Sequence, residues 1–107
     1  MRIFKYPMNP RPGKLHIDMP SGAQVLSVGV QDLPRIGQTP VLWALVLWAL
    51  VDPDRPLERV HFRIVGTGEE FVAKGHAYRG TFHLTEQALV FHLFEDLKRP
   101  QQLKGGE

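Results

Sequence analysis

An unbroken apolar run from Val41 to Val51 constrains the fold more than any other part of this chain. Its sequence is VLWALVLWALV, in which the pentapeptide VLWAL occurs twice in succession. The run is too short for a membrane-spanning helix, which needs about 20 apolar residues. As a helix it would be apolar on every side, and a small domain can rarely bury such a helix. Valine, tryptophan and leucine favour a β-strand, which Pro40 and the Asp52-Pro53-Asp54 turn would bracket.

The repeat unit has an odd number of residues, whereas side chains along a strand alternate between two faces. Trp43 and Trp48 are therefore expected on opposite faces, which makes both faces apolar. A strand of this length would extend about 36 Å, across a domain whose expected radius of gyration is about 13 Å. Three arrangements remain open: a two-sided central strand in a sandwich, a strand that bends or bulges, and a strand that pairs with another copy of the chain.

Self-association is the interaction that this run predicts. Tryptophan is enriched at interface hot spots, and an exposed apolar strand is prone to aggregation. Burying a tryptophan and two leucines would contribute several kcal/mol, at about 25 cal/mol per Å². We expect a homodimer or higher oligomer, with the interface residues Leu42, Trp43, Leu45, Val46, Leu47, Trp48 and Leu50.

Length and composition predict one small domain without thiol chemistry. The 107 residues suffice for a single core, which we expect over residues 1–97, followed by a mobile tail over 98–107. The absence of cysteine excludes disulfides, thiol catalysis and zinc ribbons. The basic N-terminus is not followed by an apolar segment of the kind found in signal peptides, so a cytoplasmic protein without membrane contact is expected.

Alternating apolar and polar residues predict an all-β fold, an antiparallel β-sandwich or partly open barrel of about seven strands. The segment 69–77 is ambiguous, with either a short strand at Phe71-Val72 or a loop. In the closing hairpin, Phe82 and Leu84 match Leu89 and Phe91 across a loop at Thr85–Ala88. The predicted strands are Arg2–Tyr6 (which Pro7 ends), Leu15–Met19, Ala23–Gln31 (with Leu26, Val28 and Val30 facing the core), Val41–Val51, Glu58–Val65, Tyr78–Leu84 and Leu89–Glu95.

No pattern of residues predicts catalysis, a cofactor or a metal. The hairpin register places His83 opposite Val90 and His92 opposite Thr81 on the outer face, where two imidazoles could share a metal. A metal site needs three or four ligands in fixed geometry, and the histidine spacing matches no ligand motif. The carboxylates and the two serines lack the arrangement that acid–base or nucleophilic catalysis requires. We therefore expect a protein that is not an enzyme.

An alternative function is suggested by the arginines at Arg59, Arg63 and Arg79. They stand beside phenylalanine and tyrosine residues, and a basic aromatic sheet face is typical of proteins that bind single-stranded nucleic acid. Against this, the net charge is only +2 and the basic residues are scattered along the chain. Nucleic-acid binding is therefore the less favoured prediction.

Six segments, in the order RIFKYPM, MPSGAQVLSVGVQ, LWALVDP, FRIVGTG, YRGTF and VFHLFE, resemble a family of small uncharacterised proteins. That family is a domain of unknown function found in bacteriophage and bacterial genomes. The resemblance spans nearly the whole chain and implies a phage or prophage setting, with a location in the host cell or the virion. It implies no activity, and any partner beyond the chain itself would be a phage or host protein. The chain departs from the family pattern at the second VLWAL and in the loop Asp32–Thr39.

Overall fold

The computed structural model describes residues 1–32, 43–84, 89–98 and 101–102. Regular structure within these ranges consists of β-strands, which agrees with the alternating pattern of the sequence. The strands are β1 (Arg2–Met8), β2 (Gly13–Pro20), β3 (Gln24–Asp32), β4 (Trp43–Val51), β5 (Leu57–Gly66), β6 (His76–Leu84), β7 (Leu89–Asp96) and β8 (Gln101–Gln102).

The strands form two antiparallel sheets. The first sheet has the order β1-β4-β3, and the second has the order β2-β5-β7-β6, with β8 pairing to β5. The described strands do not close into a barrel, and the predicted antiparallel β-sandwich is confirmed.

Strand β4 is the centre of the first sheet. It pairs with β1 from Leu45 to Val51 and with β3 from Trp43 to Leu50, so both of its edges are occupied within one chain. Pairing with β1 is regular along its whole length, and the register shift lies in β3, between Val25 and Ser27. Of the three arrangements considered, the two-sided central strand is therefore the one present, with the bulge in its neighbour.

The core lies between the two sheets and is built from alternate residues of each strand. From β4 it receives Leu45, Leu47, Ala49 and Val51, each 0% exposed. Opposite them, Phe62 and Ile64 of β5 and Leu93 of β7 are also buried. Consequently one of the two apolar faces of the VLWAL repeat is covered by the second sheet.

Strand β6 reaches the first sheet at Gly80, where a second bulge interrupts its pairing with β7. A Cβ atom at this position would press against the side chain of Val28 in β3. Glycine is thus required here because the two sheets approach each other too closely for any side chain.

Two strand predictions, the end of β1 and the orientation of Leu26, are wrong in detail, and the burial predicted for Val30 is incomplete. Strand β1 continues through Pro7 to Met8, because an edge strand tolerates a residue without a backbone N–H. Leu26 is 45% exposed, and Val30 is 40% exposed although it is paired with the buried Leu45 on the core side. The bulge beside Leu26 changes the phase of β3, so that Val25 packs against the core instead.

Two segments that the sequence left less defined can now be placed. Residues 69–75 form no strand, so the loop alternative for the Phe71-Val72 segment holds. Within the predicted tail, Gln101 and Gln102 pair with Arg59 and Glu58 of β5. The mobility of the tail stays a prediction, and the loop Asp32–Thr39 lies almost entirely outside the described residues.

Candidate functional site

The predicted interface residues divide between the two faces of β4. Leu45 and Leu47 point into the core and are fully buried, so they offer no surface to a partner. Val46, Trp48 and Leu50 alternate with them and belong to the outer face of the first sheet. Leu42 and the side chain of Trp43 lie outside the described residues.

An apolar patch occupies one end of this outer face. Ile3 of β1 lies opposite Leu50 and is 61% exposed, and Leu26, in the β3 bulge near Trp48, is 45% exposed. Trp48 is half-buried, and its indole ring lies against Gly29, with Cζ3 3.5 Å from the position of a glycine Cβ. We name this surface the Trp48 patch and define it as Ile3, Leu26, Trp48 and Leu50.

A lysine crosses the same outer face and limits the patch. Nζ of Lys5 donates a hydrogen bond to Oε1 of Gln31 at 3.0 Å. Lys5 is paired with Trp48 and Gln31 with Ala44, so the lysine side chain spans β4 close to Val46. Val46 is only 1% exposed although it stands on the outer face. The aliphatic part of a lysine can cover apolar surface in this way while its ammonium group stays in water.

Sequence reasoning missed Ile3 and Leu26 as members of the patch. The signal for Ile3 was present, because it alternates with Phe4 and Tyr6, which pack against the core. Leu26 gave no such signal, because the bulge that exposes it leaves no pattern in the sequence.

The three arginines of the predicted nucleic-acid face do not form one row. Nε of Arg59 lies 3.1 Å from Oδ1 of Asp18, and Nε of Arg79 lies 3.0 Å from Oε1 of Glu95. Arg63 has a looser ion pair, with Nη2 3.8 Å from Oε2 of Glu69. Arg79 stands in the β6 bulge, so its side chain joins Glu95 rather than the face that Arg59 and Arg63 share.

The second sheet carries a hydrogen-bonded network on its outer face, centred on His92. The predicted hairpin register is confirmed, with His92 opposite Thr81 and His83 opposite Val90. Nδ1 of His92 lies 2.9 Å from Oγ1 of Thr81, and Nε2 lies 2.9 Å from Oγ1 of Thr67. The phenol oxygen of Tyr78 lies 2.5 Å from Oγ1 of Thr81.

The carbonyl oxygen of Val90, at one end of this network, sets the direction of its hydrogen bonds. Thr67 Oγ1 donates to the carbonyl oxygen of Val90 at 3.2 Å and therefore accepts from Nε2–H of His92. In a neutral imidazole, Nδ1 is then the acceptor, and the Thr81 hydroxyl donates to it. The Thr81 oxygen in turn accepts a hydrogen bond from the Tyr78 hydroxyl. Both ring nitrogens of His92 are occupied by hydroxyl groups, so the ring has no nitrogen left for a metal.

The remaining histidines show no metal-binding arrangement within the described ranges. His16 and His61 are paired across β2 and β5, with ring centroids 6.0 Å apart. No group of three or more histidine, aspartate or glutamate side chains is close enough to hold a metal ion in this part of the chain. The described residues also contain no helix long and apolar enough to span a membrane.

Comparison with known protein families identifies the family of this chain. The family model described as "Domain of unknown function (DUF7352)" matches residues 1–103. The chain belongs to this family. Neither a curated protein nor a solved structure was found to match this DUF7352 chain. The expected membership of a family of unknown function is confirmed, and the bacteriophage setting of this DUF7352 domain stays a prediction.

Proposed function

We propose that this DUF7352 domain is a non-enzymatic accessory protein that self-associates through the outer face of its first sheet. The bacteriophage setting implied by the sequence resemblance would place it in the host cytoplasm or in the virion. There it would act through contacts with itself and with a phage or host protein.

The exposure of the Trp48 patch carries this proposal. Ile3 and Leu26 remain 61% and 45% exposed beside the half-buried Trp48 and Leu50. Contiguous apolar surface on a small protein marks interaction sites, and tryptophan contributes strongly to them when water is excluded.

The dimensions of the first sheet set the expected strength of the contact. Three strands spaced about 4.8 Å apart and about 30 Å long present roughly 400 Å² to a partner. Two such faces together bury less than about 1,200 Å², which is the range of weak and transient interfaces. We therefore expect dissociation in the micromolar range, with dimers at tens of micromolar protein.

The test is the mass of the protein in solution, measured by light scattering and sedimentation equilibrium between about 5 and 200 µM. Trp48→Glu is expected to yield monomers, because a carboxylate cannot be desolvated in the contact without a partner. Ile3→Glu is the more decisive variant, since Ile3 is 61% exposed and its replacement leaves the core intact. Both variants should keep the circular dichroism spectrum of the parent protein.

A charge placed elsewhere serves as the matched control. Leu57 of β5 is 49% exposed and lies on the second sheet, so Leu57→Glu should leave the mass unchanged. A monomer mass for the parent protein over the whole concentration range refutes the proposal. An oligomer that survives Ile3→Glu and Trp48→Glu but dissociates with Leu57→Glu would place the interface on the second sheet.

The nucleic-acid alternative has less support from the geometry. Arg59 and Arg79 are each within 3.1 Å of a carboxylate, and such pairing reduces the positive potential that a phosphate backbone needs. A gel shift with single-stranded DNA and RNA distinguishes the two functions, because binding that falls steeply with salt would favour the alternative.

A further inference from the structure

Segment 67–75 lies over the outer face of the second sheet and forms one wall of a cleft. The cleft consists of two adjoining cavities of about 490 and about 340 Å³, a size at which proteins bind small molecules. We name it the cationic cleft, and the residues common to both cavities are Lys14, Arg63, His76, Asp96 and Lys98.

Positive charge is concentrated in this cleft. Besides the shared residues, the larger cavity is lined by Lys74 and Glu70, which gives four cationic side chains against two carboxylates. Glu69, which pairs with Arg63, adds a third carboxylate beside the cavity, and the cations still outnumber the carboxylates. An excess of one sign of charge in a cleft attracts ligands of the opposite sign.

Asp96 places a negative charge in the cleft and is held by the backbone. Its Oδ1 accepts a hydrogen bond from the backbone N–H of Lys98 at 2.9 Å. That bond is the main reason why the pKa of Asp96 is lowered, and the charges of Lys98, His76 and His61 lower it further. The carboxylate thus holds the turn at Lys98 while the lysine side chain lines the cleft.

Arg63 is the arginine best placed to meet an anion. Its contact with Glu69 is 3.8 Å long, against 3.1 and 3.0 Å for the ion pairs of Arg59 and Arg79. Its Nε is buried and has no hydrogen-bond partner among the described residues. The side chain as a whole is 31% exposed, so its terminal nitrogens, unlike the buried Nε, can donate to a carboxylate or a phosphate.

An aromatic wall stands beside these cations. The ring of Phe71 lies 4.7 Å from that of Phe94 and 5.0 Å from the His76 imidazole, measured between centroids. The guanidinium carbon of Arg63 lies 5.3 Å from the Phe71 centroid. Next to this wall, Val72 is 78% exposed at the cleft. The wall provides an apolar surface on which a planar ring can pack.

Both ends of segment 67–75 are fixed to the sheet. Thr67 is bound by His92 and by the carbonyl of Val90, and the backbone N–H of Leu97 donates to the carbonyl of Gly75 at 2.7 Å. The backbone N–H groups of Glu69 and His76 donate to the carbonyls of Gly66 and Ala73, respectively, and each bond closes a turn. The aromatic wall is therefore held in place before a ligand arrives, which reduces the entropy lost on binding.

We infer that the cationic cleft binds a phosphate-bearing small molecule with a planar ring, of the size of a mononucleotide. The phosphate lies among Lys14, Arg63 and Lys98, and the ring packs against Phe71 and Val72. This site is on the face of the molecule opposite the Trp48 patch and does not depend on self-association.

A single nucleotide fits the surface better than a nucleic-acid strand does. Polynucleotide binding needs a basic groove that follows the backbone past several bases. Here Arg59, the neighbouring arginine on the same face, is paired with Asp18, and Arg79 lies off that face and is paired with Glu95. The available charge and the aromatic wall coincide at one position only within the described residues.

The test is calorimetric titration of the full chain with AMP, adenosine, inorganic phosphate and a single-stranded 12-mer at low salt. AMP is expected to bind at least tenfold more tightly than either adenosine or phosphate, because it engages both the cations and the aromatic wall. A 12-mer should bind no more than a few-fold more tightly than AMP. No heat with AMP up to 10 mM, or equal affinity for AMP and adenosine, overturns the inference.

Substitutions separate this site from general charge effects. Arg63→Gln and Lys14→Gln should each weaken AMP binding tenfold or more, whereas Arg59→Gln, which removes the same charge outside the cleft, should change it less than twofold. Phe71→Leu should reduce the preference for AMP over phosphate. If Arg59→Gln weakens AMP binding as much as Arg63→Gln does, the cleft is not the site. A 12-mer that binds a hundredfold more tightly than AMP would replace the inference with polynucleotide binding.

Discussion

The two outer faces of the sandwich are built from the same kind of strand but have opposite characters. On the first sheet, the outer face bears the Trp48 patch and a single lysine that crosses it. On the second, the outer face bears ion pairs, the His92 network and a cationic cleft. The difference shows that alternation with period two determines which residues reach a surface, whereas the chemistry of that surface depends on the individual residues.

The largest expected effect distinguishes the inner from the outer face of β4. Leu47→Ala should lower the free energy of unfolding by about 2–5 kcal/mol, because it leaves a cavity in the core. Leu50→Ala, on the outer face, should cost about 1 kcal/mol or less in the monomer. Urea unfolding at 1 µM protein measures both. If Leu50→Ala lowers the free energy of unfolding as much as Leu47→Ala does, the outer face of the first sheet is as buried as the core.

An intermediate effect is expected from the network of the second outer face. His92→Ala removes the hydrogen bonds to Thr67 and Thr81 and should destabilise the fold by about 1–2 kcal/mol. His83→Ala, two residues after Thr81 on β6 and exposed to solvent, is the matched control and should change stability by about 0.5 kcal/mol or less. Thermal unfolding followed by circular dichroism compares the two variants. Equal costs would show that the His92 network contributes nothing to stability.

The smallest change in stability is expected for Lys5→Met. Loss of the hydrogen bond to Gln31 at the surface should alter the free energy of unfolding by about 0.5 kcal/mol or less. The variant should nevertheless associate more strongly, because it removes a cation that crosses the apolar face. Sedimentation equilibrium measures the change, and weaker association than in the parent protein would mean that Lys5 itself contributes to the contact.

Regular pairing explains which parts of the fold could be predicted from the sequence. The register of β6 and β7 followed from the requirement that Phe82 and Phe91 share the core face. The division of β4 into two apolar faces followed in the same way from the five-residue repeat. In both cases, knowing which side chains must be buried is sufficient to set the register of the strand.

The two bulges explain most of what could not be predicted. At Leu26 and at Arg79 one extra residue changes which side of the sheet the chain presents, and hydrophobicity does not reveal this in advance. Gly80 was the available signal, since glycine inside a strand often accompanies a bulge or a close backbone approach. The cationic cleft depends on segment 67–75, whose position is set by single hydrogen bonds from Thr67 and Gly75 rather than by any periodic pattern.

The duplicated pentapeptide also affects how β4 finds its neighbours. Val46–Leu50 pairs with Ile3–Pro7 of β1, but Val41–Leu45 has the identical sequence. A strand displaced by one repeat would therefore present the same five side chains to β1 and β3, with the same residues facing inward. The residues that flank the repeat distinguish the native alignment. Displacement would lengthen the connection to β5 beyond the turn at Asp52–Arg55 by five residues, and it would bring Pro40 to the position of the buried Leu45. Specificity for one alignment thus resides in the residues on either side of the repeat, and lengthening the turn that follows it would remove one of the two constraints against the displaced alignment.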